Sequence, residues 1–470
     1  MPSETNLTRR TAIRRMGAGF GSIALAAMLA ETRNACAGAS LAPREPQFEP
    51  RAKRVIFLFM EGGPSHLDLF DYKPELAKFH DTKLPFDELP QEIREGKAEV
   101  PENFGNLLGP VARFARFGES DQWMSSYIPH MHQHADKLCV LKGMRADSIS
   151  HGAAVQQMHT GDAVFTRPSM GAWSLYGLGT ENENMPGYVA VSAPAGDATC
   201  GNAFLPAAYR ATLLADAGRA EAAQTIRYLS NPDIPPSVQS VQLEQLRKLN
   251  QAHLRNSGTE PGLEGLIESF ELAFRMQSEA VDVLDVSRES SETRRMYGID
   301  EEPTDRFGRQ CLIARRLSEA GVRFVQVTYT GWDSHERIKE AHLDCCQHTD
   351  KPVAGLLTDL QRRGLLDDTL VIWTGEFGRT PIVQNDKGRG HNPWGFSLWL
   401  AGGGVKGGLS YGETDPLGFQ ATQSRVHIHD LHATILYLLG LDHERLTYRH
   451  AGRDFRLTDL YGNVVTEILA

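Results

Sequence analysis

Six short, almost wholly apolar runs constrain this chain most: Val55–Met60 (VIFLFM), Leu138–Leu141, Tyr188–Val191, Phe324–Val327, Leu370–Trp373 and Phe396–Leu400. A run this short without polar alternation reads as a strand buried on both faces, which needs cover above and below. Amphipathic segments between the runs supply it. Arg309–Ala320 ends at Gly321 just before the strand beginning at Arg323, and Val353–Arg363 leads through Gly364 to the Leu370 strand. His429–Leu441 forms a last amphipathic helix ending near Gly440. Strands alternating with helices predict an α/β fold: a mostly parallel sheet with helices on both faces. Two stretches break the rhythm. Residues 73–130 are rich in Pro, Gly and charge and read as a loop-and-helix excursion. Residues 235–300 open on Pro235-Pro236 and read as a helical insertion over the sheet. The remainder, 38–470, reads as one large α/β domain with insertions.

The N-terminal segment 1–37 reads as an export signal. Arg9-Arg10 precede an uncharged run from Met16 to Ala30, and Ala35-Cys36-Ala37 offers a small-residue cleavage site. A basic start, a modest apolar stretch and an A-x-A site describe a secretory signal, and paired arginines point to the twin-arginine route. The alternative is an uncleaved anchor, but the run falls short of the ~20 apolar residues a span needs. The expectation is therefore a periplasmic or extracellular protein with no membrane span after cleavage. Removing 1–37 takes away five Arg and two Glu, moving the net charge from −10 to −13. So acidic a chain lacks the electrostatic footprint of a nucleic-acid or anionic-membrane binder. Of six cysteines, none forms a C-x-x-C pair, so neither a disulfide framework nor a thiolate zinc site is expected.

In parallel sheets ligands bind outside the carboxyl ends of the strands. Three strand ends deliver carboxylates: Glu61 after the first run, Asp333 with His335 after the Phe324 run, and Glu376 after the Leu370 run. His391 lies between Gly390 and Asn392 just ahead of the Phe396 strand. Oxygen from Glu61, Asp333 and Glu376 with nitrogen from His335 and His391 makes a mixed donor set. Such a set suits zinc or manganese, with calcium less favoured because it prefers oxygen alone. Gly62-Gly63 and Gly375…Gly378 allow tight turns and close backbone approach. Arg379 reads either as a bidentate clamp on phosphate or sulfate or as a carboxylate's ion-pair partner. Ser65, in the loop after the first strand, is a candidate nucleophile. His130-Met131-His132-Gln133-His134 has the composition of a metal tract, but its spacing spreads the rings around a helix, so a surface helix is expected. No G-x-S-x-G elbow, P-loop or G-x-G-x-x-G follows a strand.

Taken together, these stretches resemble the alkaline phosphatase-like superfamily, which includes sulfatases and cofactor-independent phosphoglycerate mutases. Within it the chain is most similar to the exported family called domain of unknown function 1501. The likeness is carried by Phe59–His66 (FMEGGPSH), His151 through Thr160-Gly161, Arg167–Gly171 (RPSMG), Gly331–His335 (GWDSH), Gly375–Pro381 (GEFGRTP), Gly390-His391 and Ala401–Gly408 (AGGGVKGG). The resemblance implies one or two metals. Glu61 would match the acidic residue ending the first strand, Asp333 and His335 the Asp/His group, Glu376 the first member of a pair, and His391 the later histidine. Phe377 stands where that pair carries His or Asn. Sulfatases place Cys or Ser nine residues before a Thr-Gly, and here that count reaches His151. His151 is therefore a candidate ligand, acid/base or nucleophile, and no formylglycine chemistry is implied.

The function implied is metal-dependent hydrolysis of phosphate or sulfate esters, on a small anionic ester or a sulfated or phosphorylated glycan. The alternative is a non-catalytic exported protein that keeps the fold to bind a glycan or protein partner, since fold alone does not fix function.

Overall fold

The structure, a computed structural model, describes residues 41–83, 106–192, 197–214 and 280–470, with isolated positions between 238 and 248. Segment 1–37 and most of the expected 235–300 insertion lie outside the described residues. Eleven strands matter here: β1 Arg54–Glu61, β2 Leu138–Arg145, β3 Tyr188–Val191, β4 Thr212–Leu214, β5 Phe324–Thr330, β6 Thr369–Thr374, β7 Gly378–Gln384, β8 Gly388–Asn392, β9 Phe396–Ala401, β10 Leu409–Tyr411 and β11 Val426–His427. Five helices pack with them: α1 His151–Thr160, α2 Met170–Leu178, α3 Asp305–Glu319, α4 Ile338–Arg362 and α5 Ile428–Leu438.

All six apolar runs become strands of one sheet, in the order β10-β2-β9-β6-β1-β5-β3-β4, with β11 beside β2. Every pairing is parallel except those of β9, which runs against both β6 and β2. The sheet is thus mostly parallel, as expected. β1 shows why its sequence is continuously apolar. Val55, Phe57 and Phe59 face one core with residues of α1, α2 and α5. Ile56, Leu58 and Met60 face the other with residues of α3 and α4. Side chains alternate across a strand, so cover on both faces demands apolar residues at every position. Each of these six is at most 1% exposed, and a side chain so buried contributes ~1.5–3 kcal/mol.

The reversed strand has a positional consequence. Because β9 runs antiparallel, its amino end lies at the edge where β1, β5 and β6 deliver their carboxyl ends. The hairpin β7–β8, which immediately precedes β9, is therefore held at that edge.

Three local expectations are modified. The helix expected at Val353–Arg363 begins at Ile338 and carries Pro352 inside it. The 73–130 excursion, where described, holds a short helix Pro74–Lys78 and the hairpin Phe114–Phe117/Gln122–Ser125. The histidine tract is a 3₁₀ helix over Met131–Lys137 whose rings diverge to separate acceptors. His130 Nδ1 meets Asp350, His132 Nε2 meets the Ser125 carbonyl, and the buried His134 Nε2 meets the Ala354 carbonyl. Cys139, Cys200, Cys311, Cys345 and Cys346 are buried free thiols. No described helix is long and apolar enough to cross a membrane.

Candidate metal centre

Four ligand atoms meet at the carboxyl edge of the sheet. His151, Asp333, His335 and His391 each offer one, and these atoms all lie within 4.8 Å of one another. They come from four places in the chain: the start of α1, two positions in the loop after β5, and β8. Asp333 Oδ1 is the hub. It stands 3.1 Å from His151 Nε2, 3.0 Å from His335 Nε2 and 3.3 Å from His391 Nε2.

Each imidazole is oriented by a bond at its other nitrogen. His151 Nδ1 lies 2.5 Å from Glu376 Oε1, His335 Nδ1 2.7 Å from Gln384 Oε1, and His391 Nδ1 2.7 Å from the Ile149 carbonyl. A carbonyl oxygen only accepts, so His391 carries a proton on Nδ1 and presents a lone pair at Nε2. Gln384 Oε1 imposes the same tautomer on His335. Yet the two Nε2 atoms are only 2.8 Å apart. His151 Nε2 is enclosed and has no hydrogen-bond partner, its approach to Asp333 being off line. Lone pairs converging on a carboxylate are the donor set of a divalent transition metal, and hydrogen-bond acceptors at each Nδ1 are the outer shell such ligands need. The residues fit the expected cation.

Charge follows the same geometry. Burial pushes the Asp333 carboxyl up, but the hydrogen bond and charge of Arg379, with His151 and His335, outweigh this and hold it well below the usual range. Burial, with Arg379, His151 and His335 nearby, lowers His391 to about 4, keeping its ring neutral. Burial opposes the charged form of His151, yet Glu376 and Asp333 raise its pKa; two carboxylates that draw a proton onto this ring also draw a cation. Burial, then Glu376, raises Glu61, with His151 opposing.

The expected site residues divide. Asp333, His335, His391 and His151 come together. Glu376, fully buried, turns to His151 and to the Gly62 N–H, which it accepts at 3.0 Å on Oε1 and 3.2 Å on Oε2. Glu61 ends β1 with its Oε2 enclosed and unpartnered, and it stands outside the group of four.

Two expectations need correction. Arg379 is not an anion clamp. Its side chain has no exposure, and its donors go to the carbonyls of Gly62, Gly63 (3.0 Å), Trp332 and Arg389 (3.1 Å) and to Asp333 Oδ1 (2.6 Å). Strand β7 points it under the site, where it braces the loops after β1 and β5. Ser65 is not an accessible nucleophile. It is fully buried; its hydroxyl donates to Asp68 Oδ2 at 2.6 Å and its N–H to His342 Nε2. Asp68 is itself locked in a buried pair with Arg389, 2.9 Å away, so no base is left to activate the serine.

Close approach explains the glycines after β1. A Cβ on Gly62, at φ +113°, would fall 2.4 Å from the Asp333 nitrogen, and one on Gly63 would fall 2.7 Å from the Phe377 ring. Phe377 is 1% exposed, with ring centroids 4.9 Å from His151 and 4.6 Å from His391. It packs a buried apolar ring against both imidazoles. Sequence reasoning missed Gln384, whose only signal is its place across the β7–β8 turn Asn385–Lys387, and missed the Asp68–Arg389 pair.

The chain belongs to the family described as protein of unknown function, DUF1501, whose model matches residues 52–469. Among curated proteins no sequence matches it. Solved structures similar to it include the lipoteichoic acid synthase LtaP from Listeria monocytogenes, 9% identical, covering 90% of this chain and 80% of that one at a TM-score of 0.35. An alkaline phosphatase from the Antarctic bacterium TAB5 is 9% identical, covering 83% and 99% at 0.32. The PsFucS1 sulfatase from Pseudoalteromonas sp. is 11% identical, covering 84% and 69% at 0.32. Likeness this remote carries no residue's role from those proteins to this chain.

Proposed function

We propose that this chain is an exported, divalent-metal-dependent hydrolase of phosphate or sulfate esters, acting in the periplasm or outside the cell. One observation carries the reading: three oriented imidazoles and an ionised carboxylate converge at the carboxyl edge of a parallel sheet, a position open to ligand. Asp333, His335, His391 and His151 would hold the cation, zinc or manganese by donor chemistry. When bound, a divalent cation there polarises an ester oxygen and acidifies water, so no protein nucleophile is required. The chain's own residues do the rest. Arg379 keeps Asp333 ionised and fixes the loop that presents it. Gln384 and the Ile149 carbonyl keep His335 and His391 in the ligating tautomer. Phe377 closes the floor between His151 and His391 and excludes water from it. The export signal expected at 1–37 fits a substrate met outside the cytoplasm.

The test is turnover of aryl phosphate and aryl sulfate by the metal-loaded protein, compared with His391→Ala. Loss of hydrolysis in the variant, with unchanged circular dichroism, supports the reading. Equal hydrolysis by wild type and variant overturns it.

A further inference from the structure

We infer that the centre holds a single cation, with His151 as a ligand in the position where sulfatases carry their nucleophile and Glu376 as the carboxylate that positions it. This rests on the metal reading above and goes beyond it in the number of cations and in what positions His151.

The first ground is His151 itself. It opens α1 nine residues before Thr160-Gly161, the place of the sulfatase Cys or Ser. A nucleophile there needs a free electron pair aimed at substrate. In His151, Nδ1 is engaged by Glu376, and the pair left, on the enclosed Nε2, lies among Asp333, His335 and His391. The ring is thereby a ligand with a carboxylate behind it, an arrangement that fixes ring orientation and raises ligand basicity.

The second ground is what lies on the Glu61 side. A second cation there would have Glu61 and Glu376 as its carboxylates. Glu376 is spent on the Gly62 N–H and on His151, and its neighbour Phe377 is a buried ring that offers no donor. Among the described residues only one group of three or more metal-ligating side chains converges, and neither Glu61 nor Glu376 belongs to it.

The experiment is a titration of the metal-free full-length protein with Co²⁺, followed by visible absorption and by calorimetry. Wild type is expected to bind one equivalent with a d–d band of a nitrogen-rich site. His151→Ala should lose the band's intensity and bind at least 10-fold more weakly. Glu376→Gln, nearly isosteric and able to accept from Nδ1, should bind one equivalent with affinity lowered about 10- to 100-fold and a shifted band. Glu61→Gln should bind one equivalent with the wild-type band. Two equivalents in wild type, an unchanged band in both His151→Ala and Glu376→Gln, or loss of binding in Glu61→Gln overturns this inference while leaving a metal centre in place. No Co²⁺ bound by folded wild type overturns the metal reading itself.

Discussion

A guanidinium with no solvent exposure holds this site together. Arg379 ties the loops after β1 and β5 to strand β8 by their carbonyls and neutralises Asp333, so it is paired and satisfied where it is buried. Its removal leaves buried carbonyls without a donor, while Asp333, 45% exposed, can turn to water, so the cost is about 1–3 kcal/mol. Arg379→Met should therefore lower unfolding stability by about that amount in urea titration, and Arg379→Lys should not restore it, because one ammonium cannot reach a fork of acceptors. A loss under 1 kcal/mol would contradict the bracing role. At this scale Asp333, His335 and His391 were legible in sequence, since strand ends in parallel sheets deliver ligands. Sequence left Arg379 open between anion clamp and ion-pair partner, of which the second holds, and it misread Ser65, for a common reason. Residue type declares what a side chain can donate or accept, whereas its direction depends on which face of a strand or turn it leaves.

The hairpin β7–β8 is the element on which the site depends most. Its register sets His391 opposite Arg379 and Gln384 opposite Gly388, so one short ribbon supplies a ligand, the brace beneath it and the partner of His335. Sequence placed His391 only as lying ahead of the Phe396 strand, because the glycines and charges of 388–392 mask any strand periodicity. The ribbon pairs locally, but its place at the sheet edge follows from β9 running backwards, which no local pattern encodes. The same limit applies to α4, whose first turns are polar and whose Pro352 hides its continuity. If Gln384 fixes the His335 tautomer, Gln384→Ala should weaken metal binding about 10- to 100-fold in calorimetry while leaving circular dichroism unchanged. Unchanged affinity would remove Gln384 from the site.

Across the whole molecule the legible part is the sheet. All six apolar runs enter it, because burial on both faces writes itself continuously into sequence. Less legible is the load of buried imidazoles that the two cores carry. His66 and His159 are lowered to about 4, and His342 and His432 to about 3, in each case chiefly by burial. These rings are neutral in the fold, while the unfolded chain takes up protons near the ordinary value of about 6.5. The unfolded state thus binds more protons as pH falls, so stability is complete above about pH 6.5 and declines from there toward pH 4. Each histidine contributes about 1.4 kcal/mol per pH unit in that window. Chemical denaturation at pH 7.5, 6 and 5 should show falling midpoints, and a flat profile would contradict the buried-neutral assignment.

The most direct measurement of the central claim is metal content. Protein purified without chelator, and again after remetallation, should carry zinc or manganese by plasma mass spectrometry, and Asp333→Ala should carry almost none while still folded. A folded wild type that holds no metal in either preparation, and whose melting temperature ignores chelator and added metal, would contradict the account and favour a binding protein on the same fold.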